Sequence, residues 1–162
     1  MFIYSVRGQT IRLGVLLLVL ALLVGVIALN GGGEVVSAAS SAAEIDYSGI
    51  KDADDRIAFM RSFGIEVADG SEEKTEFSMP DNFDRVIAGY NELQKKQGLD
   101  LLKYKNKRVT RYTYKVTNYD SEGEVWANLF VYRGKIVACD ICSADPQGFV
   151  IPMTLVDRSN LK

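Results

Sequence analysis

The sequence predicts a small two-layer α+β domain behind an N-terminal transmembrane helix, with two helices packed on one face of a mostly antiparallel sheet that ends in a three-stranded meander. Three observations predict it. The run Leu13–Leu29 (LGVLLLVLALLVGVIAL) carries no charged or polar side chain. A strong helical stripe stands in mid-chain. Alternating apolar and polar residues, punctuated by turn signals, fill the last third.

The apolar run comes first. Seventeen residues of helix reach about 25 Å, close to a hydrocarbon core of about 30 Å. Arg12 can snorkel at one end. A helix of a water-soluble core needs a polar face, and this run has none. Arg7 and Arg12 precede it and no Lys or Arg follows until Lys51. The positive-inside rule therefore expects residues 1–12 in the cytoplasm, 13–30 as a single-pass signal anchor in the cell membrane, and the remainder outside. Ser37-Ala38-Ala39-Ser40 offers small residues for a signal peptidase, which would release the domain. The apolar run is longer than a signal core of about 7–15 residues, so an uncleaved anchor is expected. Residues 31–50 begin GGGEVVSAASSAA and read as a flexible tether. Residues 51–162 form the extracytoplasmic domain.

Asp52 to Phe63 reads as a short helix, with Ala53, Ile57 and Met60 at helical spacing and Gly64 as its C′ residue. Lys74 to Met79 is a candidate strand closed by Pro80. The clearest helix is Asn82 to Gln97, where Phe83, Val86, Ile87, Tyr90 and Leu93 form one stripe. Asp81 is its expected N-cap and Gly98 its stop, with Leu99 packing back. The meander follows. Its first strand, Lys107 to Tyr119, places Thr110, Tyr112, Tyr114 and Val116 on one face and Arg111, Thr113 and Lys115 on the other. Its second, Glu124 to Tyr132, is apolar on both faces and is expected in the centre. Arg133-Gly134 is a two-residue hairpin connection. The third strand runs from Lys135 to Cys142, and Phe149 to Met153 is expected to tuck against the core.

Composition excludes several chemistries. There is no His, which removes Ser-His-Asp and Cys-His catalysis and His metal ligands. Beyond the anchor, 17 basic residues face 21 acidic ones, which argues against a nucleic-acid binder. Asp52, Asp54 and Asp55 lack the loop glycine and final Glu of a calcium loop and read as first-turn helix acids. No cofactor and no metal site is expected.

Two constellations remain. Cys139-Asp140-Ile141-Cys142 is a C-x-x-C, a candidate redox or disulfide pair. Positions i and i+3 of a strand face opposite sides, so pairing would need a bulge after Asp140. The stretch Lys95–Lys115 is strongly basic, and Lys105, Lys107, Arg108 and Arg111 form a candidate surface for phosphates of an anionic envelope component. Trp126 and Phe130 would join it if exposed, since sheet aromatics can otherwise be core.

The strings RIAFMRSFGIEV from Arg56, PDNFD from Pro80, YNELQKKQG from Tyr90, RYTY from Arg111 and NLFVY from Asn128 together resemble the bacterial family called domain of unknown function 4830. The resemblance runs from about Asp52 to Val150, and departs at Ile65, where Trp is usual. It implies a small domain behind an N-terminal membrane segment, mostly in Gram-positive bacteria, and supplies no activity or catalytic residue. The resulting expectation is a non-catalytic, membrane-anchored module that binds a partner protein or an envelope component. The alternative is a thiol–disulfide redox protein using Cys139 and Cys142. Oligomeric state is left open.

Overall fold

The computed structural model describes residues 45–162. The expected anchor at 13–30 and most of the tether lie outside them. Among the described residues no helix is long and apolar enough to cross a membrane.

The chain builds helix α1 (Ala53–Ser62), strand β1 (Glu73–Ser78), helix α2 (Arg85–Lys95), and strands β2 (Arg108–Val116), β3 (Val125–Tyr132), β4 (Lys135–Ser143) and β5 (Val150–Pro152). The five strands form one antiparallel sheet in sequence order. The meander is thus the middle of a larger sheet, with β3 at its centre. The segment expected only to tuck against the core adds a fifth strand at the far edge.

Local chemistry sets the helix ends. Asp52 caps α1 through its side chain, and Asp55 answers in a capping box. Gly64 takes φ +83° just past the end of α1, and the Ile65 amide returns to the Met60 carbonyl at 3.2 Å. The second helix begins later than expected. Asp84, not Asp81, is its N-cap, with Oδ1 accepting from the Val86 and Ile87 amides at 3.0 and 2.8 Å. Asp81 instead accepts from Asn106 Nδ2 at 3.2 Å. Asp52, Asp54 and Asp55 do lie at the start of α1, as first-turn acids or its cap.

The sheet is flanked on both faces. Met60 of α1 joins Tyr114, Ala127, Leu129 and Ile141 in one core cluster. Tyr90 and Leu93 of α2 join Val109 and Ala138 in another. Strand β3 explains why one layer of helices does not suffice, because Leu129 points to the first cluster and Phe130 to the second. The domain also starts earlier than the expected boundary at 51. Ile50 is 6% exposed, and its amide donates to the Gly134 carbonyl at 3.0 Å. The Tyr47 carbonyl accepts from the Ile136 amide at 2.8 Å. Residues 45–50, expected in the tether, are therefore part of the fold.

Candidate functional site

A cleft of about 610 Å³ opens beside the β3–β4 hairpin. Three segments far apart in sequence wall it. Ile50, Lys51 and Arg56 lead into and along α1, Asn106 to Arg108 open β2, and Arg133-Gly134 turn the hairpin. Backbone bonds fix these walls. The Ile50–Gly134 bond holds the first against the third, while Asn106 N to Met79 O and Met79 N to Lys107 O, both 2.9 Å, anchor the second. Five cationic side chains line the cleft and no carboxylate does.

Asn106 (φ +61°) and Arg133 (φ +47°) are the two non-glycine residues with left-handed backbone among the described residues, and both line this cleft. That conformation costs a side-chain-bearing residue about 1–2 kcal/mol. At the hairpin it is demanded by the tight turn, where Gly134 follows at φ +73°. The turn positions favour Asn or Gly, and here an arginine projects into the cleft instead.

The five cations differ. Arg56 is buried and fixed. Its Nη2 meets Glu72 at 2.9 and 3.2 Å, its Nε donates to the Tyr114 hydroxyl at 2.8 Å, and its guanidinium lies 3.7 Å from the Tyr112 ring centroid. The Tyr114 hydroxyl in turn donates to Glu72. Burial opposes ionisation of Glu72, yet the hydrogen bonds from Tyr114 and Arg56 hold its carboxyl below the usual range. Arg108 is exposed and pairs with Glu76 at 3.0 Å. Lys51, Lys107 and Arg133 are exposed, and none has a carboxylate within ion-pair distance among the described residues.

The residues expected to share one surface do not. Lys107 and Arg108 line the cleft. Lys105 stands over the Phe83 ring, 5.7 Å from its centroid. Arg111, Trp126 and Phe130 lie on the opposite face of the sheet. Phe130 is core there, edge-on to Phe77 at 5.9 Å and tilted against Tyr90 at 5.8 Å. Trp126 is half-buried between its cross-strand neighbours Lys115 and Cys142. The cleft's other cations, Lys51, Arg56 and Arg133, carried no local signal of a shared site.

A second polar cluster is buried on the Trp126 face. Asp140 is 2% exposed and accepts from the Tyr90 hydroxyl at 2.5 Å and from Asn128 Nδ2 at 2.9 Å. Thr113 donates to Asn128 Oδ1 at 2.9 Å. Burial pushes the Asp140 carboxyl up to about 6, against the pull of these hydrogen bonds and of Arg111. Arg111 is itself half-buried, its Nε has no partner, and burial lowers its proton affinity.

The cysteines are both free. Cys139 belongs to the first core cluster and Cys142 to the second. Three residues of strand span about 10 Å, beyond the roughly 7 Å limit between α-carbons for a disulfide. Burial raises both thiols, Cys142 to about 12. A reactive thiol needs the opposite shift, so this geometry disfavours the redox alternative. Denatured protein purified without reductant is expected to titrate for two free thiols. A value of zero would show a disulfide that this strand geometry forbids. Among the described residues, no group of His, Cys, Asp and Glu is placed to hold a metal ion.

Fold and cleft together define a small α+β domain, one antiparallel sheet with a helix on each face and a basic cleft at one hairpin. The chain belongs to the family described as Domain of unknown function (DUF4830), which matches residues 59–141. The match includes Lys107, Arg108 and Arg133 but begins just after Arg56. No curated protein and no solved structure matches the chain.

Proposed function

We propose that this protein is a membrane-tethered, extracytoplasmic and non-catalytic module that binds an anionic component of the cell envelope in its basic cleft. One observation carries the reading: of the five cations that line a cleft of about 610 Å³ beside no lining carboxylate, Lys51, Lys107 and Arg133 have no carboxylate partner among the described residues, although acidic residues outnumber basic ones in the chain as a whole. A solvated protein surface normally intersperses both signs. Concentration of one sign in a concave site raises the local potential for an oppositely charged ligand. The tether rests on the apolar run Leu13–Leu29 and its flanking arginines. The absence of His and the raised thiols support a binding role over a catalytic one.

The test uses full-length protein in neutral detergent and dextran sulfate as a generic polyanion. Binding is expected to weaken with added salt. The charge-reversed variant Lys107→Glu/Arg133→Glu should lose at least tenfold in affinity with its melting temperature unchanged. Equal affinity of variant and parent would refute the cleft as the binding site.

A further inference from the structure

We propose that the open part of the sheet's other face binds an uncharged oligosaccharide, stacked on Trp126 and hydrogen-bonded by Arg111. This surface is separate from the basic cleft, whose lining includes Thr110 and Tyr112 of the opposite face. Strand alternation and register put Arg111, Thr113 and Lys115 of β2 together with Trp126 and Asn128 of β3. Hydrogen bonds from Thr113 to Asn128 and from Asn128 to Asp140 run across this face. Helix α2 covers only part of it. Val109, Ala138 and Asp140, which meet or neighbour α2, are buried, whereas those five residues of β2 and β3 are half-buried.

Arg111 points to a ligand. Its Nε is buried without a hydrogen-bond partner, and among the described residues no carboxylate lies within ion-pair distance of its guanidinium. Asp140 spends its two oxygens on Tyr90 and Asn128. Buried polar groups are ordinarily satisfied, and a guanidinium has five N–H donors to place. Charge then selects the class of ligand. Lys115 is paired with Glu124, and Glu73 stands cross-strand from Thr113. Arg111 and Lys115 are thus balanced by two carboxylates, and the face holds no excess of one sign to attract a polyanion. A sugar hydroxyl both donates and accepts. It can accept from Arg111 and donate to the Thr113 oxygen, whose own proton goes to Asn128 Oδ1. The Trp126 ring offers an apolar surface to the C–H groups of a pyranose. Arg111 and Trp126 are offset by four residues in the β2–β3 register, about 13 Å of strand, which exceeds one ring and calls for an oligomer.

Trp126 is the one tryptophan of the chain, so its fluorescence reports this face directly. The experiment titrates the full chain, in a polyoxyethylene detergent that carries no sugar, with the neutral tetramers of glucose and of N-acetylglucosamine. At least one is expected to shift Trp126 emission saturably at millimolar concentration and to lower its quenching by acrylamide at least twofold. Arg111→Gln should weaken that binding at least fivefold. Dextran sulfate, the probe of the basic cleft, should leave Trp126 emission unchanged, so the two sites stand or fall separately. A parent protein that answers neither tetramer overturns the proposal without recourse to any variant. So does equal sugar affinity in Arg111→Gln. A response to dextran sulfate alone makes the face an anion site instead, and emission that shifts with protein concentration alone assigns it to a second copy of the chain.

Discussion

Acidifying this protein from pH 7.5 to pH 5 should raise its melting temperature by roughly 5 °C, the reverse of ordinary acid destabilisation. The cause is Asp140. Its carboxyl is buried, lacks a direct ion pair, and has a folded-state value of about 6. The unfolded value is near 3.9. A carboxyl raised on folding favours the fold in its protonated form. Its contribution is therefore complete below the unfolded value and is lost as pH rises through about 6. Between pH 7.5 and pH 5 this amounts to roughly 1.4 kcal/mol. Glu72 and Asp100 are shifted downward, so they destabilise mainly below that window, near pH 4 and under. Asp140→Asn should abolish the rise. The groups facing Asp140 do not titrate between pH 5 and pH 7.5: Tyr90 is pushed well above its usual value and Cys142 to about 12. Thermal melts of both proteins across the window decide the matter. A flat profile in the parent, or an unchanged rise in the Asn variant, would remove Asp140 as the source.

The Tyr90 hydroxyl joins α2 to this carboxyl, so the network fixes the helix against the sheet as well as setting the pH response. It buries polar groups in the second core cluster, opposite the face that α1 covers. The basic cleft lies toward the α1 side, since Arg56, Tyr112 and Val131 line it. The buried Asp140 network and the basic cleft thus lie on opposite sides of the sheet.

Strand alternation is legible in the sequence itself. It places Tyr112, Tyr114 and Val116 on one face and Arg111 and Thr113 on the other, where they lie. The same rule argues against the expected shared surface of Arg108 and Arg111. They are three apart in one strand, like Cys139 and Cys142, and so must face opposite sides. Arg56 and Arg133 were not readable, because the cleft is assembled by long-range contacts. The Arg56 to Tyr114 bond alone spans 58 positions, and no local pattern encodes it. The stripe of α2 is equally legible, but its start is not, since Asp81 and Asp84 both satisfy the capping preference. In the structure Asp84 takes the cap, and Asp81 bonds Asn106 across the chain instead.

The second large effect concerns a glutamine that no periodicity would single out. Strand β5 covers β4 only opposite Asp140, Ile141 and Cys142, and Pro152 at its end has no N–H with which to extend the ladder. The next residue of β4 would expose its backbone. Gln94 and Gln97 of the α2 region take the place of a strand there. The Cys139 amide donates to Gln94 Oε1 at 2.9 Å, and Gln97 Nε2 donates to the Cys139 carbonyl and to Gln94 Oε1, both at 2.6 Å. Gln94 is fully buried, so water cannot replace it. Gln94→Ala should destabilise by about 3 kcal/mol, combining an orphaned buried amide with lost packing. Gln94→Met keeps the volume and removes only the polar groups. Because Gln94 Nε2 itself has no partner, its removal offsets part of the loss, and Met should cost about 2 kcal/mol. Chemical denaturation measures both. If Met costs under about 0.5 kcal/mol, the bond to Cys139 contributes nothing net and packing alone secures the edge. If both variants fall as expected, hydrogen exchange at the Cys139 amide should accelerate more than at Ile141, which β5 still covers.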